Sequence, residues 1–231
     1  MKDESAGHAV DLDLVARLAK LDACAVSDAL DALGMTGTVS GIPQRSGLRR
    51  IAGRCVTVKL VAAAEAPARE GPPRHLGSTA VEAGGPGTIV VVEQRTGIDA
   101  GSWGGILSLA ATIRNIEGVI VDGPVRDIDE ARQYDLPVFA RALTAFTARG
   151  RVAEAGTNVG VRIGDVTVEP GDYAVADNSA VVFIPAAAIE RVLVAAERIA
   201  AREAAMAQAL RNGKSVSSVM GAAYETLLTG D

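Results

Sequence analysis

The chain has 231 residues, enough for one large domain or two small ones with a sizeable core. Hydrophobic residues make up 48% and charged residues 22%, the balance of a folded globular chain, and aromatics at 3% leave the core to Ala, Val, Leu and Ile. The net charge of −5 argues against a nucleic-acid binder, because phosphate contacts need a basic face, and no apolar run reaches the roughly 18 residues of a membrane span.

The opening MKDESAGHAVDLD carries no hydrophobic stretch, so no signal peptide is expected and the expected compartment is the cytoplasm. Apolar periodicity predicts one helix over Asp11 to Leu21 and a second over Val26 to Leu33. Ser27 and Asp28 suit the second helix's start, and Gly34 its end. Cys24 and Cys55 lie in apolar surroundings and read as buried, inert thiols. The Gly-rich run over 37–53 predicts loop. Its basic cluster Arg45, Arg49 and Arg50 lacks interleaved aromatics and reads as a solvated edge.

Residues 54–63 (RCVTVKLVAA) predict a strand buried on both faces, followed by a polar, Pro-rich surface excursion over 64–75. Strand and helix then alternate: a short helix over Leu76 to Ala83, a strand over 88–93, a helix from Gly104 to about Asn115, a strand over 118–123, a helix near Arg126 and a strand over 136–143. That alternation predicts parallel pairing with right-handed crossovers. Farther on, turns at IGD, EPGD and DNS divide four short strands, which predicts hairpins. Ala186 to Asn212 predicts a helix of about 40 Å, longer than one small core covers, so its far end is expected to meet another subunit. Altogether the pattern predicts a single α/β domain spanning 1–231.

The strand GVIVDG delivers the chain to Pro124, Val125, Arg126 and Asp127 at a strand's carboxyl end, the usual ligand crevice of an α/β unit. The Arg126 fork suits a carboxylate, and Asp127 is a hard oxygen ligand for Mg²⁺. Equally, the two residues could simply open a helix. In Ser102-Trp103-Gly104-Gly105-Ile106-Leu107, paired glycines enter a helix whose first amides could cradle an anion, or the glycines could only permit a tight turn. Lying about 20 residues apart, the two elements would face one crevice and hold a small carboxylate with a divalent cation. Trp103 is expected to pack beside the helix start, and His75 to lie at the surface.

These segments carry a resemblance. VSDALDALG (26–34), RIAGRCVTV (50–58), GGPGTIVVVE, WGGILSLAATIRNIEGVIVDGPVRD (103–127), VEPGDYAVADNSAVVFIP and REAAMAQALRNG together resemble the RraA-like family, which includes the 4-hydroxy-4-methyl-2-oxoglutarate aldolases. The resemblance implies a swivelling α/β sandwich with a small barrel-like sheet and a long C-terminal helix, assembled as a homotrimer or homohexamer with the site at the subunit cleft. It further implies that Arg126 and the amides of Gly104, Gly105, Ile106 and Leu107 bind a 2-keto acid such as pyruvate. Asp127 would hold Mg²⁺ or Mn²⁺, with Glu203 of a neighbouring copy supporting the metal's water shell.

Such a chain is expected to be a metal-dependent lyase, of retro-aldol or oxaloacetate-decarboxylating type. No lysine sits in the motif to form a Schiff base, which favours the metal route. One departure is Gly105, where the aldolases carry an acidic residue that helps deliver a proton; Asp99 or Glu93 could substitute. DNSA (177–180) is a milder departure. The alternatives are a non-catalytic regulatory protein, like relatives that bind an RNA-degrading endonuclease, or an altered reaction such as dehydration or isomerisation in the same pocket. No G-x-G-x-G loop follows the first strand, so a methyltransferase is not expected.

Overall fold

The structure, a computed structural model, describes residues 12–67 and 75–221. In chain order its elements are helix α1 (12–18), α2 (Ala23–Ala32), strands β1 (Thr38–Val39), β2 (Gln44–Ser46) and β3 (Ile51–Ala62), α3 (Ser78–Ala83), β4 (Thr88–Glu93), α4 (Gly105–Ile113), β5 (Gly118–Val125), α5 (Ile128–Gln133) and β6 (Val138–Leu143). The second half comprises β7 (Val152–Thr157), β8 (Val161–Ile163), β9 (Val166–Val168), β10 (Tyr173–Ala176), β11 (Val181–Ile184), α6 (Ile189–Arg211) and α7 (Val216–Val219).

Nine strands form one mixed sheet in the order β1-β11-β10-β3-β4-β5-β6-β2, with β7 also paired to β3, and β8 and β9 form a separate hairpin. The predicted parallel pairing is observed across β3, β4, β5 and β6. Alternation along these strands sends side chains to two apolar layers. Val90, Val92, Val119 and Val121 pack with Trp103, Leu107 and Ala111 beneath α3, α4 and α5. Ile89, Val91 and Ile120 point the other way, onto Phe139 and the β8–β9 hairpin residues Val161, Ile163 and Val168. A third cluster joins α1, α2 and α6 to β10 and β11. Each such side chain, withdrawn from water, contributes about 1.5–3 kcal/mol.

Several expectations need correction. The segment over 37–53 is not all loop: β1 and β2 are short edge strands paired to β11 and β6, and β3 begins at Ile51. Strand β7, which hydrophobic patterning did not suggest, is held by antiparallel pairing to β3. The second helix begins at Ala23, because the Asp22 side chain caps it by accepting from Ala25 N and Asp177 accepts from Ala23 N; Asp28 therefore sits within the helix. Cys24 is exposed on that helix, and only Cys55 is buried. The last long helix starts at Ile189, after a 3₁₀ turn over Ala186–Ala188. Arg45 and Arg49 do lie along the edge, where they bond to the carbonyls of Ala140 and Arg141 and to Glu117. Asp11 and residues 68–74 of the Pro-rich excursion lie outside the described residues. No helix among those described is long and apolar enough to cross a membrane.

Candidate active site

Strand β5 runs through the centre of the sheet and ends at Val125, so Arg126 and Asp127 emerge at the carboxyl end of the parallel strands. The turn is pinned to the loop before α4: Ser102 N and Oγ both donate to Pro124 O, and Arg126 N donates to Trp103 O at 3.0 Å. Trp103 is buried, its indole N–H donating to Ser108 Oγ at 3.0 Å, which anchors the loop to the helix it opens. Sequence spacing placed the two motifs near one crevice, and the structure brings them into direct contact.

Asp127 adopts a left-handed backbone (φ 54°), a conformation Asp tolerates better than most residues. This turns its carboxylate back onto α4. Asp127 Oδ2 accepts from Gly105 N at 3.1 Å, and Oδ1 accepts from Arg126 Nε at 3.1 Å. Among the described residues the N–H groups of Ile106 and Leu107, also in the first turn, have no side-chain acceptor, and such first-turn amides can take an anion. Both side chains of the pair are about one-third exposed, 35% for Arg126 and 34% for Asp127. Among the described residues the guanidinium of Arg126 is hydrogen-bonded through Nε alone.

Close approach explains the glycines here. A Cβ on Gly104 would lie 2.8 Å from Asp127 Oδ2, and one on Gly101 would lie 2.7 Å from Arg126 Cγ. Larger residues would push the guanidinium and the carboxylate out of place.

A carboxylate offers about four lone-pair positions, and Asp127 uses two within the chain. A hard cation could take one of the others. Among the described residues, however, no cluster of three or more His, Cys, Asp or Glu side chains could hold a metal. A cation here would be held by the single carboxylate of Asp127 and completed by water and substrate oxygens, a mode of binding open to Mg²⁺. Glu203 lies on the exposed face of α6 beside Asp22 and Asp28; partial burial and those two carboxylates hold its carboxyl above the usual range.

The opposite face of the sheet carries a second polar network that sequence reasoning missed. Asp122 is only 4% exposed and accepts from Arg141 Nε and, at 2.7 Å, from Gly164 N, with Arg95 3.7 Å away. It aligns with Ile120, toward the β8–β9 hairpin rather than α4. Its signal in the sequence was a charge inside an otherwise apolar strand, VIVDG. Glu93 lies on that same face, accepting from Arg162 N at 2.7 Å with Lys59 at 3.8 Å, so it cannot stand in for an acid at Gly105. Asp99 and His75 are exposed. A groove of about 370 Å³ opens at the amino end of the strands, near Arg54, Gly87 and Thr88. Arg54 there bonds to Gly171 O and lies over the Tyr173 ring.

Comparison with known proteins matches residues 23–183 to the RraA-like family, described as Aldolase/RraA. A Halalkalibacterium halodurans protein named "Putative 4-hydroxy-4-methyl-2-oxoglutarate aldolase" is 27% identical over 203 residues, covering 87% of this chain and 90% of that protein. Protein DlpA of Legionella pneumophila is 29% identical over 173 residues, 75% of this chain but only 28% of DlpA, so the chain spans little more than a quarter of that relative. Among solved structures, an uncharacterized protein from Pseudomonas syringae pv. tomato superposes with a TM-score of 0.80 at 25% identity, over 91% of this chain and 98% of that one. The architecture is the mixed α/β fold, with a mixed sheet, of these relatives.

Proposed function

The chain belongs to the RraA-like family, and from that membership and the geometry at Arg126 and Asp127 we propose a divalent-metal-dependent lyase that cleaves a 2-keto acid to release pyruvate. The reaction is retro-aldol cleavage of a substrate of the 4-hydroxy-4-methyl-2-oxoglutarate type, or decarboxylation of oxaloacetate. The observation that carries this reading is the convergence of a partly free guanidinium, a carboxylate with open lone pairs and unoccupied helix-start amides within one turn of each other. The names borne by similar proteins agree with it.

Arg126 orients the substrate carboxylate through its terminal nitrogens and offsets charge that develops as the C–C bond breaks. The N–H groups of Ile106 and Leu107 take the carboxylate's second oxygen, with the helix dipole in support. Asp127 would hold Mg²⁺ or Mn²⁺, which supplies a Lewis acid for the keto oxygen. Trp103 and Ser102 keep the two loops in register.

We further propose that the fold is the swivelling α/β sandwich with a small barrel-like sheet and that the chain assembles as a homotrimer or homohexamer, with Glu203 of a neighbouring copy completing the metal's surroundings. Support comes from α4, whose outer face is apolar although exposed: Ile106 is 81% exposed and Ile113 71%. That face begins at the site itself. A chain that sediments as a monomer contradicts this part.

The test of the activity is pyruvate release from oxaloacetate and from 4-hydroxy-4-methyl-2-oxoglutarate, with Mg²⁺ or Mn²⁺ against EDTA. Metal-dependent turnover supports the lyase. Absence of turnover while a keto acid still binds points to altered chemistry in the same pocket, and absence of binding to a regulatory protein; either overturns the reading.

A further inference from the structure

We infer that Glu130 is the proton-transferring residue of this site, doing from α5 what no side chain at position 105 can do. The inference rests on the lyase reading above and deepens it.

Cleavage of a 4-hydroxy-2-keto acid needs a base and then an acid. The hydroxyl proton on C4 must leave as the C3–C4 bond breaks, the electron pair of that bond passes into the pyruvate enolate, and C3 of the enolate must gain a proton. Most acidic groups near the crevice are already committed. Asp127 accepts from Gly105 N and Arg126 Nε. Asp122 and Glu93 lie on the other face of the sheet, bound to Arg141, Gly164 N and Arg162 N. Asp129, beside Glu130 on α5, is paired with Arg132 at 2.9 Å.

Glu130 differs on both counts. Its stem packs directly against position 105: a Cβ built on Gly105 would lie 3.2 Å from Glu130 Cβ and 3.4 Å from Glu130 Cγ, and 3.3 Å from Asp127 Cβ. The stem of Glu130 thus borders the space a side chain at 105 would enter, beside Asp127 Cβ, and its carboxylate extends from that stem at an exposed position. That carboxylate is exposed, and among the described residues it has no ion pair or hydrogen bond. A side chain at 105 would crowd that stem, and Gly105 leaves it free.

The proton balance closes within one turnover. Glu130 takes the C4 hydroxyl proton as the C3–C4 bond breaks and returns it to C3, so the enolate becomes pyruvate and the carboxylate is regenerated. Run on pyruvate alone, the same step exchanges methyl protons with solvent.

The experiment follows that exchange by NMR in D₂O with Mg²⁺, in the wild type and in Glu130→Gln, alongside calorimetric titration of pyruvate into both. Glu130→Gln keeps the stem over Gly105 and leaves an exposed position uncharged, so its melting temperature checks that the fold is intact. The expected result is pyruvate affinity within about threefold of wild type and exchange slowed roughly 100-fold or more. Unchanged exchange overturns the role of Glu130 and leaves the lyase reading standing. Loss of pyruvate binding together with exchange overturns it too, because Glu130 would then be a binding residue. A wild type that neither binds pyruvate nor exchanges its protons overturns the lyase reading and this inference with it.

Discussion

Asp127 Oδ2 accepts a hydrogen bond from the backbone N–H of Gly105 at 3.1 Å, so the proposed metal-holding carboxylate is also the N-terminal partner of helix α4. One side chain thereby links the two motifs at the carboxyl end of the sheet. The two roles separate by substitution.

Asp127→Asn retains an oxygen for Gly105 N and should keep the stability of the wild type while losing metal-dependent keto-acid binding. Asp127→Ala loses both, and its unfolding free energy in urea should fall by about 1 kcal/mol through the lost helix-start partner. Equal stability of the two variants would contradict the link between Asp127 and α4.

The glycine before α4 is a second lever on the same carboxylate. In Gly104→Ala the new methyl would sit 2.8 Å from Asp127 Oδ2, so the carboxylate must move. Metal affinity measured by calorimetry should fall roughly 10- to 100-fold, as when a metal ligand's support is removed. Gly101→Ala, 2.7 Å from Arg126 Cγ, should instead raise KM for the keto acid. Wild-type values for both would show that the loop yields without disturbing the pair.

Asp122 should matter for stability. Asp122→Asn leaves Arg141 and the Gly164 N–H facing an uncharged group in a nearly solvent-free position. Because both arginines are more than a third exposed, the loss is moderated by water, and denaturant unfolding should register roughly 1–3 kcal/mol.

Acid stability should depend on Asp177. Burial pushes its carboxyl up, but backbone N–H groups of Ala23, Ser179 and Ala180, with Arg50 nearby, outweigh this and hold it below the usual carboxylate range. A depressed value in the folded state means a contribution that is present above the unfolded-chain value and lost as pH falls through the folded one. Wild type and Asp177→Asn should therefore differ in thermal stability at neutral pH and converge below about pH 4. A difference that persists unchanged into strong acid would contradict this.

Much of the scaffold was legible because it obeys simple periodicities. TIVVVE and GVIVDG are apolar on both faces, and such runs alternating with helices mean parallel strands. The Arg126–Asp127 turn and the helix start at Gly105 were also readable, since a charged pair after a buried strand and paired glycines before a helix are local signals. What stayed hidden depends on distant partners. Strand β7 takes its conformation from pairing with β3, the α2 start owes part of its definition to Asp177, 154 residues away, and Glu130 reads as an ordinary helix glutamate until its stem is seen against Gly105. Side-chain direction decided another case: Glu93 and Asp122 precede the site in sequence but face the opposite layer.

The central claim, that Arg126 and Asp127 form a cation-assisted 2-keto-acid site, is tested most directly by calorimetric titration of oxalate, a mimic of the pyruvate enolate, into the wild type and Arg126→Ala, each with Mg²⁺ and with EDTA. The account predicts binding to the wild type with Mg²⁺, its loss in EDTA, and its loss in Arg126→Ala. Oxalate binding that survives both EDTA and the substitution, or no binding to the wild type with Mg²⁺, would contradict it.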